Sequence, residues 1–347
     1  MNTFLFSSIL LVCLFLTARA DDDKCYALAL QGGGDKASYQ AGALAQLIEK
    51  ASDTTHYDVV TGVGIGAINA GILASHEKGD ELAAAQEILD FWNDLDSNDV
   101  YKNWKWGGAV RGLLFKTALY DSRPLRKLIQ KTVKTPVRPF YVLATKARDG
   151  RPKVWDESTD LDTLHKAIDA STAYPGFFDP VEDIDDEVYY DGGTSFSINI
   201  ADAINRCRDM GFAEENIVLD VILNTAATIK EKETKDYTSI PMLIRYLEIR
   251  LFYNTMDLLE RAKDGFRTVN FRYTIAPTSK LDSGLLPFNF SKKQIQNNLQ
   301  KGREDAQRAI DQGDNVMTDL LIKYTDLKNA HQYEGDYHDF LEENDKL

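Results

Sequence analysis

The turn Gly62-Val63-Gly64-Ile65-Gly66 has the frame of a hydrolase nucleophile elbow, G-x-S-x-G, with a glycine where the serine would stand. The same stretch, from Gly62 through Gly64 to Ala67, also satisfies G-x-G-x-x-A, a dinucleotide fingerprint. Three readings stay open from these residues alone: a hydrolase without its nucleophile, a nucleotide loop, or a tight turn. A second glycine cluster, Gly32-Gly33-Gly34-Asp35-Lys36, lets backbone N–H groups converge on one point without Cβ obstruction. An anion is favoured there, whether a phosphate or the oxyanion of an acyl-transfer intermediate. Lys36 either anchors that loop or touches a charged head group. The third piece is Asp191, which follows the apolar run Val188 to Tyr190 and precedes Gly192-Gly193. A carboxylate freed by two glycines at a strand end suits a base that takes a hydroxyl proton. An Asp-Gly hairpin turn would use the same residues.

These pieces need a scaffold that presents all three at one edge. "CYALALQ" reads as a short apolar strand before the first glycine cluster, and "SYQAGALAQLIEK" follows with helical spacing at Ala41, Leu44, Leu47 and Ile48. "YDVVTG" is a second strand feeding the elbow, and its small-residue helix follows. "FYVLATKA" and "NIVLDVILN" read as buried strands, separated by helical patterns such as "DLDTLHKAIDAS". Strands alternating with helices predict an α/β sandwich around a mainly parallel sheet. Helices dominate after Ile240, and the stretch from Pro241 to Ala262 is apolar at Leu243, Leu247 and Leu251, which predicts core packing.

The chain has 347 residues and a formal net charge of −14. That balance argues against a nucleic-acid partner and gives no pull toward anionic lipid. Phe4 to Leu16 is an uncharged apolar run of signal-peptide length, followed by the cleavage pattern Ala18-Arg19-Ala20. Residues 1–20 are therefore expected to be a signal peptide and the protein secreted or held in the secretory lumen. Cys13 would leave with that segment, so Cys25 and Cys207 remain as either one disulfide or two buried thiols. Asn289-Phe290-Ser291 is a glycosylation acceptor. The acidic, aperiodic end, 331–347, reads as poorly ordered. The five histidines sit in no motif, no metal-ligand spacing occurs, and no cofactor is expected.

A glycine-rich loop, an elbow about thirty residues later, the A-S-x-A-x-P-x-x-F-x-P segment of Ala170 to Pro180 and a strand-borne D-G-G resemble the patatin-like phospholipase family in this order. The likeness runs from about Tyr26 to Asp202, more loosely to "GREDA" near Gly302, so a domain of about 24–315 is expected. The resemblance implies a three-layer α/β/α sandwich and a serine–aspartate dyad that cleaves fatty acyl esters without a catalytic histidine. It implies that Gly33 and Gly34 form the oxyanion hole, that Lys36 is the loop's basic residue, that Gly64 occupies the nucleophile position and that Asp191 is the dyad base. A lipid or fatty acyl ester is the implied partner.

The chain departs from that pattern at Gly64, at Ala37 in place of the loop's last glycine, and in "TSFSINI" after Asp191. Only the first removes chemistry. Thr61 should point away from the turn, and Ser195 or Ser197 would need a new oxyanion geometry. The leading expectation is a pseudoenzyme that binds lipid or acyl chains. The alternatives are an active hydrolase with another nucleophile or a variant position 64, and a dinucleotide-binding enzyme, which leaves D-G-G and the A-S-x-A-x-P segment unexplained. "NWKWGGAVRGLLF", with Trp104, Trp106 and Leu113 to Phe115, reads either as a cap making transient membrane contact or as cover for a sheet edge.

Overall fold

The computed structural model describes residues 23–104, 108, 116–284, 288–313 and 315–330. The expected signal peptide, the acidic tail, Trp106 and Leu113 to Phe115 lie outside the described residues. Eight strands form one sheet: β1 (Cys25–Leu30), β2 (Val59–Val63), β3 (Phe140–Lys146), β4 (Pro152–Asp156), β5 (Val181–Ile184), β6 (Glu187–Tyr190), β7 (Ile217–Ile222) and β8 (Asn270–Ile275). Hydrogen-bonded neighbours run β5-β6-β3-β2-β1-β7-β8, with β4 on β3 off this path. From β3 to β8 the pairing is parallel, and β4, β5 and β6 add antiparallel strands at the β3 end.

β1 and β7 are buried along their whole length, as strands covered on both faces must be. Their alternate residues feed two separate cores. Tyr26, Leu28 and Leu30 pack with α1 (Ser38–Lys50), α2 (Gly66–Ala74), α3 (Glu81–Asp94), α4 (Arg123–Thr132) and α5 (Leu161–Thr172). Cys25, Ala27 and Ala29 face α6 (Ile200–Asp209), α7 (Ser239–Gly265) and the late helix Asn315–Ala330, numbered α9. Between them in sequence, α8 (Lys292–Gln312) joins the first core. This is the expected three-layer α/β/α sandwich. Cys25 and Cys207 are joined in a disulfide that ties β1 to α6.

One expectation fails. α7 is a single helix of 27 residues, but nothing before Phe252 in it is buried. Leu243 is 51% exposed, and Leu247 and Leu251 are only half-buried. The core packing begins with Phe252, Met256 and Leu259, because only that half lies against β7 and β8.

Candidate active site

The sheet register explains how Gly64 meets Asp191. On β3, Thr145 pairs with Pro152 of β4 across one edge and with Tyr190 of β6 across the other. β2 also occupies the edge away from β4, pairing Val63 with Leu143. β2 and β6 therefore approach each other head-on along one flank of β3. One residue further along each, Gly64 and Asp191 would both fall opposite Ala144. The two chains meet there, and both must turn out of the sheet.

β2 turns through Gly64, whose φ is +57°, and enters α2 at Gly66. The three glycines of this turn have different reasons. A Cβ at Gly62 would sit 2.5 Å from the Ala67 Cα, and one at Gly66 2.6 Å from the Gln31 carbonyl oxygen. Both are excluded by backbone. A Cβ at Gly64 would find nothing nearer than the Gly32 Cα at 3.3 Å, with Asp191 Oδ1 at 3.7 Å. The middle position thus has room for a side chain, and a hydroxyl one bond beyond that Cβ would fall within hydrogen-bonding reach of Asp191. The left-handed conformation costs this glycine nothing and would strain a residue with a Cβ.

β6 turns at Asp191, which caps the single turn Gly192–Thr194 by accepting the Gly193 N–H at 2.8 Å. The hairpin turn of this region is instead Asp185-Asp186, both at φ 54°, between β5 and β6. Gly192 is demanded by contact, since a Cβ there would lie 2.2 Å from the Leu143 carbonyl oxygen. Burial pushes the Asp191 carboxyl up to about 6, against the lowering effect of the Gly193 hydrogen bond. A carboxyl poised there can accept a proton near neutrality.

The end of α5 holds both turns, a role the sequence reading did not assign. Ser171 Oγ accepts the Gly64 N–H at 2.8 Å and donates to the Leu143 carbonyl at 2.6 Å. The Ala173 carbonyl accepts the Asp191 N–H at 3.0 Å, and Thr145 Oγ1 donates to the Asp191 carbonyl at 3.0 Å. The A-S-x-A segment carried this signal, because a buried serine beside two small residues at a helix end is placed to bond backbone. Ser195 bonds Thr145 and the Gly192 carbonyl, and Ser197 bonds Thr255. Thr61 donates to the Asn199 carbonyl, away from the turn.

The glycine loop leaves β1 above this junction. Gly34 takes φ +58°, and a Cβ at Gly33 would lie 2.3 Å from Asn224 Nδ2. Asn224 is held in turn: its Nδ2 donates to the Gln31 carbonyl at 3.0 Å and its N–H to Gln31 Oε1 at 2.6 Å. Gln31 completes the buried network by donating to Thr225 and Thr255. The N–H groups of Gly33 and Gly34 have no acceptor among the described residues. Asp35 is fully buried and accepts from Ser283 and from the N–H groups of Gly284 and Asn289, which clamps the loop to the segment before α8. Lys36 is half-buried, its ammonium has no hydrogen bond or ion pair among the described residues, and burial lowers that ammonium from 10.5.

An aromatic wall stands beside Asp191. Tyr174 is close enough to feel its charge, and Phe177, Phe178, Tyr101 and Phe288 continue the wall with ring separations of 4.7–6.5 Å. Of the histidines, His56 and His76 pair with Glu81 and Glu87, and His165 bonds the Val133 carbonyl. None of these three faces the junction. No group of metal-ligating residues occurs among the described residues. Trp104 is half-buried, bonds the Ala118 carbonyl and lies under Lys116.

No curated protein sequence matches the chain significantly. Among solved structures it is similar to VipD from Legionella pneumophila, at 14% identity and a TM-score of 0.48 over 84% of this chain and 67% of that one. It is also similar to the type III effector protein ExoU, at 14% identity and a TM-score of 0.30 over 84% of this chain and 53% of that one, about half its length. The family model described as patatin-like phospholipase matches residues 28–204, slightly more than half of the chain. That span begins in β1 and takes in the glycine loop, the elbow, the α5 terminus and Asp191, so the chain belongs to the patatin-like phospholipase family.

Proposed function

We propose that this protein is a secreted patatin-like protein that binds lipid acyl chains and has lost ester hydrolysis through the glycine at position 64. Membership of a lipid-hydrolase family supports a lipid ligand. The observation that carries the loss is local: everything around position 64 stands ready for a serine, including the left-handed backbone, the Asp191 carboxyl and the free Gly33 and Gly34 N–H groups, but no hydroxyl is present. A dyad without its nucleophile cannot form an acyl-enzyme. The aromatic wall beside Asp191 suits an acyl chain. The leader-like residues 4–20 and the Cys25–Cys207 bond support an oxidising, secretory location.

The test compares the natural chain with its Gly64→Ser variant on a short-chain aryl ester and on phospholipid vesicles, alongside displacement of a fluorescent fatty acid. Hydrolysis by the variant alone, with fatty-acid binding by both, is the expected result. Equal hydrolysis by the natural chain would overturn the loss. It would favour direct water attack with Asp191 as base, which the upward-shifted carboxyl makes the best second reading.

A further inference from the structure

The half of α7 that stays out of the core points to an interaction surface. Ile240, Met242, Leu243 and Tyr246 are 46–56% exposed, and the adjoining Ile244, Leu247 and Ile249 are only half-buried. Scattered exposed apolar residues are ordinary, but this many within three turns of one helix form a patch. Its position is fixed by topology. β7 and β8 are parallel, so α7 between them runs back against the strands, and its beginning lies at their carboxyl ends. Thr255 marks the level of the sheet edge, because its hydroxyl bonds Gln31 and Ser197. From Thr255 to Ile240 the helix rises about 22 Å at 1.5 Å per residue. It therefore projects past the same edge that carries Gly33, Gly64 and Asp191. The charges of Glu248 and Lys232 reach the Lys36 ammonium, so the projecting half stands near the glycine loop.

We propose that the amino-terminal half of α7, led by Ile240, Leu243 and Tyr246, inserts into a zwitterionic phospholipid surface and sets the Gly33–Gly64–Asp191 site against it. The order of side chains along the helix matches the order of a lipid leaflet. The apolar residues occupy the first turns of the helix, just after Thr238 and Ser239. Arg250 follows Tyr246 by one turn on nearly the same side, exposed and without an ion pair among the described residues, where it meets phosphate as the tip enters the acyl layer. Immersing Ile240 to Tyr246 requires about 9 Å of depth, within the range of interfacial helices. No described helix is long and apolar enough to cross a membrane, so the helix rests in one leaflet. The choice of a zwitterionic over an anionic surface follows from charge. The net charge of −14 repels anionic lipid, whereas 230–250 carries five cations and four anions. The loop 230–232 is strapped to the helix by Arg245 to the Lys230 carbonyl and Lys232 to Glu248, and the exposed turn holding Lys235 and Asp236 leads from it to the helix start, where those charges would meet headgroups. The insertion stands independently of catalysis, and its orientation toward the site rests on the lipid reading above.

The test is flotation of the full chain with phosphatidylcholine vesicles, paired with fatty-acid displacement as a separate readout of the site. The natural chain is expected to float, and the double variant Leu243→Asp with Tyr246→Asp to lose about tenfold or more in partitioning, a drop of about 1.4 kcal/mol. Leu82→Asp, at an equally exposed leucine on α3, is expected to float normally. Tyr246→Trp should add emission that shifts to the blue on adding vesicles. Absence of flotation, or flotation indifferent to the double variant, overturns the proposal. So does a blue shift that grows with protein concentration without vesicles, which would assign the patch to a second copy of the chain. Flotation without fatty-acid binding would instead overturn the reading of the site and leave the surface standing.

Discussion

Position 64 is bent for a residue it does not carry. A serine there would adopt φ near +57°, which costs about 1–2 kcal/mol for a residue with a Cβ. The Gly32 Cα at 3.3 Å adds a mild crowding. Gly64→Ser and Gly64→Ala should therefore lose similar stability in chemical denaturation, about 1–2 kcal/mol. Only the serine variant should gain esterase activity, by roughly 10³-fold or more over the natural chain, since removal of such a nucleophile costs at least that elsewhere. A second prediction follows from Asp191. Its carboxyl titrates at about 6 in the folded protein, against an ordinary 3.8. The folded state thus keeps a proton that the unfolded chain has already released, and stability falls as pH rises through this window. Above about pH 6 the full penalty is present. Asp191→Asn should remove it and raise stability at pH 7.5 by about 1–2 kcal/mol, a value reduced for the residue's partial exposure. The gain should fade below about pH 4. Hydrolysis by Gly64→Ser should in turn rise with an apparent pKa near 6, because only the ionised carboxylate accepts the serine proton.

At the scale of elements, two glycines fix the helix that carries the glycine loop. A Cβ at Gly42 of α1 would lie 2.0 Å from the Leu299 carbonyl oxygen, and one at Gly302 of α8 would lie 2.0 Å from that of Tyr39. The helices cross in backbone contact, with Tyr39 Oη donating to Asp305 nearby. Alanine normally gains about 1 kcal/mol over glycine inside a helix. Here Gly42→Ala and Gly302→Ala should each lose about 2–4 kcal/mol in urea titration, since rigid backbone must move. Gly71→Ala on α2 meets only side-chain methyls, those of Val133 at 3.0 and 3.1 Å and the Ile168 Cδ1 at 3.5 Å, and should stay within about 1 kcal/mol of the natural chain. Much of this architecture was legible in sequence, for local reasons. β1, β2, β3 and β7 are short apolar runs ended by glycine or polar residues, and α1 shows its buried stripe. The β5–β6 hairpin was not legible, because "VEDIDDEVYY" carries its turn on two aspartates and lacks a buried-strand composition. Of the site, Gly33, Gly64 and Asp191 were readable as motif positions. Ser171 and Thr145 were not assigned, since their work is done through backbone groups that only the register of β2, β3 and β6 brings together. The exposed half of α7 misled for a further reason: an apolar helical stripe has the same spacing whether a core or a surface covers it.

For the whole molecule, the tie between Cys25 and Cys207 spans 182 residues and joins the central strand to the face opposite α1. The second core contains both cysteines, α6, α7 and α9, and α7 is anchored there only from Phe252 onward. A cross-link closing so long a loop removes much of the freedom of the unfolded chain, and typical bonds contribute about 2–4 kcal/mol. Cys25→Ala with Cys207→Ala should therefore lower the unfolding free energy by an amount in that range, seen as a lower denaturant midpoint, and a reductant should lower the natural chain equally while leaving the double variant unmoved. Both cysteines are fully buried, so under native conditions reduction should be slow and should keep pace with opening of the fold. A thiol count separates the outcomes cleanly. The unreduced protein, once unfolded, should show no thiol from Cys25 or Cys207. Two reactive thiols there would mean that the bond does not form, and the secretory location would lose the support it draws from the bond. The sheet, the elbow and the glycine loop would be untouched by that result, because none of their hydrogen bonds passes through sulfur.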